Sequence, residues 1–147
     1  MQVLSPRSDH YTFRADSRSV SLARRAVTGF ARAHGVADEM LQSIALAVSE
    51  ACTNVVVHAY RERESDDAGS ISVGLELEAR SLRIQVSDDG VGMTPRADSP
   101  GLGLGLPIIA SVADGFAIER RPLGGTELCM RFDLAPPFTA GSAPLVA

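Results

Sequence analysis

The longest regular pattern of apolar and polar positions covers residues 37–60, a stretch without glycine or proline. At about 100° per residue its apolar side chains fall on one broad face, which predicts a helix of about six turns packed against a core. The apolar positions are Leu41, Ile44, Ala45, Val48, Ala51, Cys52, Val55 and Ala59.

A polar stripe follows the same helix. Glu50, Asn54 and His58 are spaced four residues apart, so a carboxylate, an amide and an imidazole stand one above another. Because Leu46 and Val57 make the flanks of the stripe apolar, we expect it to face something other than open water. The alternative is the solvated edge of an ordinary amphipathic helix, and this helix alone does not decide between them.

The remaining periodicities predict an α+β fold. Alternating apolar residues indicate strands, and longer spacings that end near glycine indicate two more helices. Strands are expected at residues 11–17, 71–77, 82–86, 116–120 and 127–134, and helices at 18–34 and 108–113. Grouped helices between runs of strands predict a two-layer sandwich, with a mainly antiparallel mixed sheet and helices on one face.

The length and composition suit one domain. The chain has 147 residues, of which 45% are apolar, enough for a single core. We expect a flexible N-terminus at residues 1–10, a domain at 11–134 and a flexible, Pro- and Ala-rich tail at 135–147. No signal peptide or membrane-spanning run is apparent, so the expected location is the cytoplasm. Cys52 and Cys129 fit apolar patterns and are expected to be reduced and buried.

The net charge and the types of basic residue limit the possible partners and reactions. The net charge is −4 and no basic block is present, so neither a nucleic acid nor a membrane is an expected partner. All fourteen basic residues are arginine. The absence of lysine excludes the P-loop, the strand lysine of eukaryotic-type kinases and Schiff-base catalysis.

Two glycine-containing segments are candidate ligand sites. Asp88 ends a strand and is followed by Gly90 and Gly92, a pattern that lets a backbone approach a flat ligand beside a carboxylate acceptor. An exocyclic amine such as that of adenine would suit this acceptor, although an Asp-Gly turn between strands needs no ligand. Gly103 and Gly105 precede a predicted helix, whose free N–H groups could bind polyphosphate; a hinge explains them as well.

Together these segments resemble the four motifs of the GHKL (Bergerat-fold) ATP-binding superfamily. The resemblance covers residues 11–134 and is greatest to the RsbW-like serine kinases that act as anti-sigma factors. The matching residues are Glu50, Asn54 and His58 in the helix; Asp88, Gly90 and Gly92 at the strand end; the run from Gly103 to Ile109; and Gly124, Gly125 and Thr126.

The resemblance implies a site for ATP and Mg²⁺. It assigns Glu50 as the general base and Asn54 as the Mg²⁺ ligand, and it leaves the role of His58 open. For the nucleotide, it implies adenine recognition by Asp88 and phosphate binding by glycine amides. The implied cofactor-binding residues are Asn54, Asp88, Gly90, Gly92, Gly103, Gly105 and Thr126.

The implied function is that of a cytoplasmic serine/threonine kinase that phosphorylates a STAS-domain anti-anti-sigma protein and otherwise sequesters a sigma factor. The resemblance also implies a homodimer, for which the first strand and helix are candidate surfaces. The lid at residues 93–100 is short, and whether its Arg96 contacts phosphate is open. A histidine kinase is disfavoured because no phospho-accepting dimerisation helix precedes the site. The alternatives are a non-catalytic nucleotide-binding module that sequesters its partner and a simple ATPase.

Overall fold

A five-stranded sheet forms one layer of the fold. The computed structural model describes residues 7–59, 69–90, 102–122 and 124–134, without the side chains of residues 58–59 and 102–105. The strands are β1 (Ser8–Arg14), β2 (Ser70–Leu77), β3 (Ser81–Asp88), β4 (Gly115–Arg120) and β5 (Thr126–Asp133). Their order is β1-β2-β3-β5-β4, and every pairing is antiparallel, so the expected mixed sheet is antiparallel throughout these strands.

Three helices form the second layer and cover one face of the sheet. They are α1 (Ser17–Ala33), α2 (Asp38–Asn54) and α3 (Leu102–Val112). Alternate residues of the central strands, including Val73, Ile84 and Met130, are fully buried beneath the helices. The α+β two-layer sandwich is therefore confirmed, with its core between the sheet and α2.

The helix boundaries follow local chemistry. The Asp16 carboxylate accepts a hydrogen bond from the Ser19 N–H at 3.1 Å and so caps α1. This cap explains why β1 ends at Arg14, three residues before the predicted end at Ser17. At the other end of α1, Gly35 takes a φ of 85°, which glycine adopts without a Cβ penalty.

The long predicted helix at residues 37–60 divides into two parts. Its α-helical portion ends at Asn54, and Val55–Ala59 form a π-helix. The apolar periodicity did not predict the change from α-helix to π-helix, because the same pattern of apolar side chains is compatible with both kinds of helix. Asp38–Val57 is long and apolar enough to span a membrane, but 44% of that window is buried within the domain. These residues form the central core helix.

The two cysteines have different environments. Cys52 is fully buried, and burial raises the pKa of its thiol to about 12. Cys129 alternates with the core residues Leu128 and Met130 in β5, so it lies on the face of the sheet away from the helices and is partly exposed. The expectation of burial is correct for Cys52 and wrong for Cys129.

Candidate functional site

Buried polar side chains locate the site. Within the described residues, four polar side chains are buried: Ser19, Asn54, Asp88 and Thr126. Ser19 has a structural role, since its hydroxyl donates to the capping carboxylate of Asp16 at 3.2 Å. The other three are residues that the sequence motifs singled out. Burying polar groups costs free energy unless they are paired, so buried polar side chains outside the helix cap are candidates for pairing with a ligand.

Asp88 presents one unpaired carboxylate oxygen. It is the last residue of β3 and is 1% exposed. The Gly90 N–H donates to its Oδ1 at 3.0 Å, and the backbone of Thr126 also hydrogen-bonds the carboxylate. Its Oδ2 is buried and has no hydrogen-bond partner among the described residues. An unpaired buried acceptor costs about 1–3 kcal/mol, which a ligand N–H donor would recover.

The electrostatic environment of Asp88 is unusual for an aspartate. Burial raises the pKa of its carboxyl above the ordinary value of 3.8, and Asp89 raises it further. The hydrogen bonds from Gly90 and Thr126 and the charge of Arg121 oppose this rise. The site therefore keeps a desolvated carboxylate in place at an energetic cost to the unliganded protein.

The turn before β5 fixes the position of Asp88. Gly125 has a φ of 90°, and a Cβ atom at this residue would overlap the carbonyl oxygen of Asp88. Gly124 has a φ of 102° but nothing within 4 Å of its own Cβ position. Glycine is therefore needed at Gly125 for space as well as for conformation. This contact places Thr126 beside Asp88.

Asn54 is the second residue with an unpaired buried group. It ends α2 and is 5% exposed, and within the part of the chain that the structure describes its Nδ2 has no hydrogen-bond partner. Rotation of the amide by about 180° exchanges Nδ2 with Oδ1, so this position can present either atom to a ligand. An amide oxygen is a suitable Mg²⁺ ligand, and the residue therefore fits the metal that the family resemblance implies.

The polar stripe of α2 crosses from the interior to the surface. Asn54 is buried, whereas Glu50, one turn earlier, is partly exposed. Leu46 and Val57 are 43% and 52% exposed, so the apolar flanks of the stripe lie at the surface of the described structure.

The glycines of the third motif lie inside α3. This helix begins at Leu102, six residues before the predicted start at Ile108. The predicted helix began directly after Pro107, because proline is favoured in the first turn of a helix. Gly103 and Gly105 instead occupy the first turn of α3. A helix leaves its first backbone N–H groups without partners inside the helix, so this end of α3 remains suitable for an anion.

Several elements that carry motif residues contact one another. The π-helix after Asn54 contacts β3, which ends at Asp88, and α2 contacts α3. Gly90 and Thr126 are brought directly to Asp88. Gly92, Arg96 and the predicted lid at residues 93–100 lie outside the described residues, as does the side chain of His58.

The sequence motifs did not identify Arg121. Its Nη1 donates to the carbonyl oxygen of Asp88 at 3.2 Å. Arg120 ends β4 and Arg121 follows it, and both are exposed residues that no periodicity distinguishes. Only the proximity of the turn to the end of β3 reveals the contact.

Fold and site together define an ATP-binding domain of the GHKL type. The chain belongs to the histidine kinase-like ATPase domain family, which matches residues 13–132. It is 30% identical over 130 residues to the anti-sigma F factor of Clostridium acetobutylicum, covering 81% of this chain and 88% of the relative. It is 32% identical over 119 residues to the serine-protein kinase RsbW of Bacillus thuringiensis, covering 71% and 72%.

A solved structure shares the fold. It contains the RsbU and RsbW domains of a Mycobacterium tuberculosis protein, with a TM-score of 0.69 and 23% identity. The match covers 88% of this chain and 33% of that longer chain. This similarity supports the architecture described above.

The paired glycines provide a test of the contact at Asp88. Gly124→Ala should cost roughly 1–2 kcal/mol of unfolding free energy, from backbone conformation alone. Gly125→Ala should cost about 1–3 kcal/mol more, because the added Cβ must displace the Asp88 carbonyl. Urea unfolding of both variants measures the difference. Equal losses would show that the end of β3 is not packed against Gly125.

Asp88→Asn should change the pH dependence of stability. The folded-state pKa of Asp88 is raised, so its ionisation destabilises the unliganded fold, and this penalty disappears as the pH falls through that pKa towards 3.8. The variant should therefore melt at a higher temperature than the wild type at pH 7, with the gap narrowing towards pH 4. A constant gap across this range would contradict the desolvation of Asp88.

Proposed function

We propose that this protein is a serine/threonine kinase that uses Mg-ATP and acts as an anti-sigma factor. In this proposal it phosphorylates a STAS-type anti-anti-sigma protein in the cytoplasm and otherwise holds a sigma factor inactive. Membership of the ATPase family and the names of the two curated relatives support this assignment.

The observation that carries the catalytic part of the proposal is the position of Glu50. Glu50 lies one helical turn before the buried Asn54 in α2, and it is partly exposed. An acceptor hydroxyl on another protein needs a base that solvent-side groups can reach, close to the bound phosphates. A module that only binds nucleotide has no need of a carboxylate there.

The other site residues would bind and orient the nucleotide. The unpaired Oδ2 of Asp88 would accept a hydrogen bond from the exocyclic amine of adenine, and Thr126 would support the same end of the pocket. Asn54 would hold Mg²⁺, which neutralises phosphate charge when bound. The amides of Gly103 and Gly105 at the start of α3 would bind phosphate oxygens.

Most of the catalysis of phosphoryl transfer comes from positioning the reactants and neutralising the phosphate charge, so the reaction does not require lysine. Glu50 would take the proton of the serine hydroxyl as that oxygen bonds to the γ-phosphorus, and ADP would leave with the electron pair of the broken bond.

The proposed partners follow from the relatives and from the sheet. The names anti-sigma F factor and RsbW support a sigma factor and its antagonist as ligands. We also propose a homodimer that uses β1 and α1. Among the described strands β1 is at one edge of the sheet, so its outer backbone groups are available for pairing with a second copy.

Glu50→Gln tests the catalytic assignment. The variant should bind Mg-ATP within about twofold of wild type, because Gln keeps the size of the side chain. Phosphate transfer should fall by about 10²–10⁴-fold through loss of the base. The assay is transfer of labelled γ-phosphate from ATP to a lysate of the source organism, with phosphoserine identified in the labelled band.

Glu39→Gln is the matched control, since Glu39 lies in the first turn of the same helix and is exposed. It should transfer phosphate normally. Wild-type transfer by Glu50→Gln would require another base. ATP binding without transfer by the wild type would favour the non-catalytic sequestering module, and phosphate release without an acceptor would favour a simple ATPase.

A further inference from the structure

Arg121 connects the turn before β5 with the end of β3. Its N–H donates to the Gly125 carbonyl at 3.0 Å, and its own carbonyl accepts from the Gly124 N–H at 3.0 Å. These bonds hold the backbone of Arg121 in the turn. Its guanidinium then reaches the neighbouring strand, where Nη1 donates to the Asp88 carbonyl at 3.2 Å.

The same carbonyl of Asp88 is therefore held from two directions. The backbone of Gly125 packs against it, leaving no space for a Cβ, and the guanidinium of Arg121 hydrogen-bonds it. The Asp88 carboxylate extends from this backbone with Oδ1 paired to Gly90 and Oδ2 unpaired. Rotation of the peptide after Asp88 would move the Gly90 N–H that pairs with Oδ1, and the carboxylate would lose the bond that fixes its orientation.

We propose that Arg121 is a positioning residue for base recognition, which holds the Asp88 carbonyl so that Oδ2 points at the exocyclic amine of adenine. The inference rests on the proposed nucleotide-binding function and adds a residue outside the four family motifs. Arg121 itself does not touch the nucleotide in this account.

The effect of Arg121 is mainly geometric. Among the influences on the Asp88 carboxyl, the charge of Arg121 is the smallest, and desolvation is the largest. The side chain of Arg121 is exposed, so water and salt screen its charge. The hydrogen bond from Arg121 to the Asp88 carbonyl keeps its direction in the same water and salt. Another side chain at this residue that donates a hydrogen bond to the carbonyl should therefore suffice.

The experiment measures base discrimination by calorimetry, using Mg-ATP and Mg-inosine triphosphate. Inosine carries a carbonyl where adenine carries its amine, so the ratio of the two dissociation constants reports the bond to Asp88. Arg121→Ala should reduce the preference for ATP by about 2–12-fold, the equivalent of one hydrogen bond, while inosine triphosphate binding stays within about twofold of wild type.

Arg121→Lys should retain the preference within about twofold, because a single donor satisfies a single carbonyl. Arg83→Ala is the matched control: Arg83 is an exposed arginine of β3 whose only described ion pair is with Glu78 at 3.7 Å. It should leave both affinities unchanged. Circular dichroism on each variant checks that the fold is intact.

Two outcomes would overturn the inference alone: an unchanged preference in Arg121→Ala, or equal losses for both nucleotides, which would indicate a purely structural role. Failure of the wild type to bind ATP, or to prefer it over inosine triphosphate, would instead overturn the proposed adenine site and this inference with it. The wild-type measurement therefore separates the two failures.

Discussion

The buried carboxylate of Asp88 is the constraint around which the site is built. A desolvated charge with an unpaired oxygen is costly in an isolated domain, and the surrounding structure keeps it in place. The glycine turn packs against its backbone, two amides pair with its carboxylate, and an arginine holds its carbonyl. Such an arrangement is consistent with selection for a ligand, because a core residue of similar size would make a more stable sheet.

The helix α2 serves the core and the site at once. One face, which includes Ile44 and Val48, is fully buried against the sheet. On the adjacent polar stripe, Asn54 is buried and Glu50 is partly exposed, so the stripe runs from the protein interior to the solvent. Under the proposed function, a mutation in this helix would alter stability, nucleotide binding or access by a protein acceptor, depending on the face that it touches.

Much of the fold could be predicted because its elements follow simple periodicities. The alternation of Ile71, Val73 and Leu75 matches a strand buried on one face, and Gly35 marks the end of α1. The π-helix after Asn54 could not be predicted, since it leaves the apolar pattern unchanged. The early start of α3 was concealed by Pro107, which is placed in the second turn of the helix.

The candidate site was predictable as a set of motifs but not as a set of contacts. Residue types and spacing singled out Asn54 and Asp88, the family resemblance added Thr126, and all three are buried. The overlap that requires glycine at Gly125 and the bond from Arg121 both join residues more than thirty positions apart. Sequence spacing carries no information on such contacts, which depend on how β5 is placed beside β3.

The most direct test of the account is a crystal structure of the protein with Mg²⁺ and a non-hydrolysable ATP analogue. The account predicts that Oδ2 of Asp88 accepts a hydrogen bond from the adenine amine and that the Asn54 amide oxygen coordinates the metal. An analogue bound with its base away from Asp88, or a metal bound without Asn54, would contradict it.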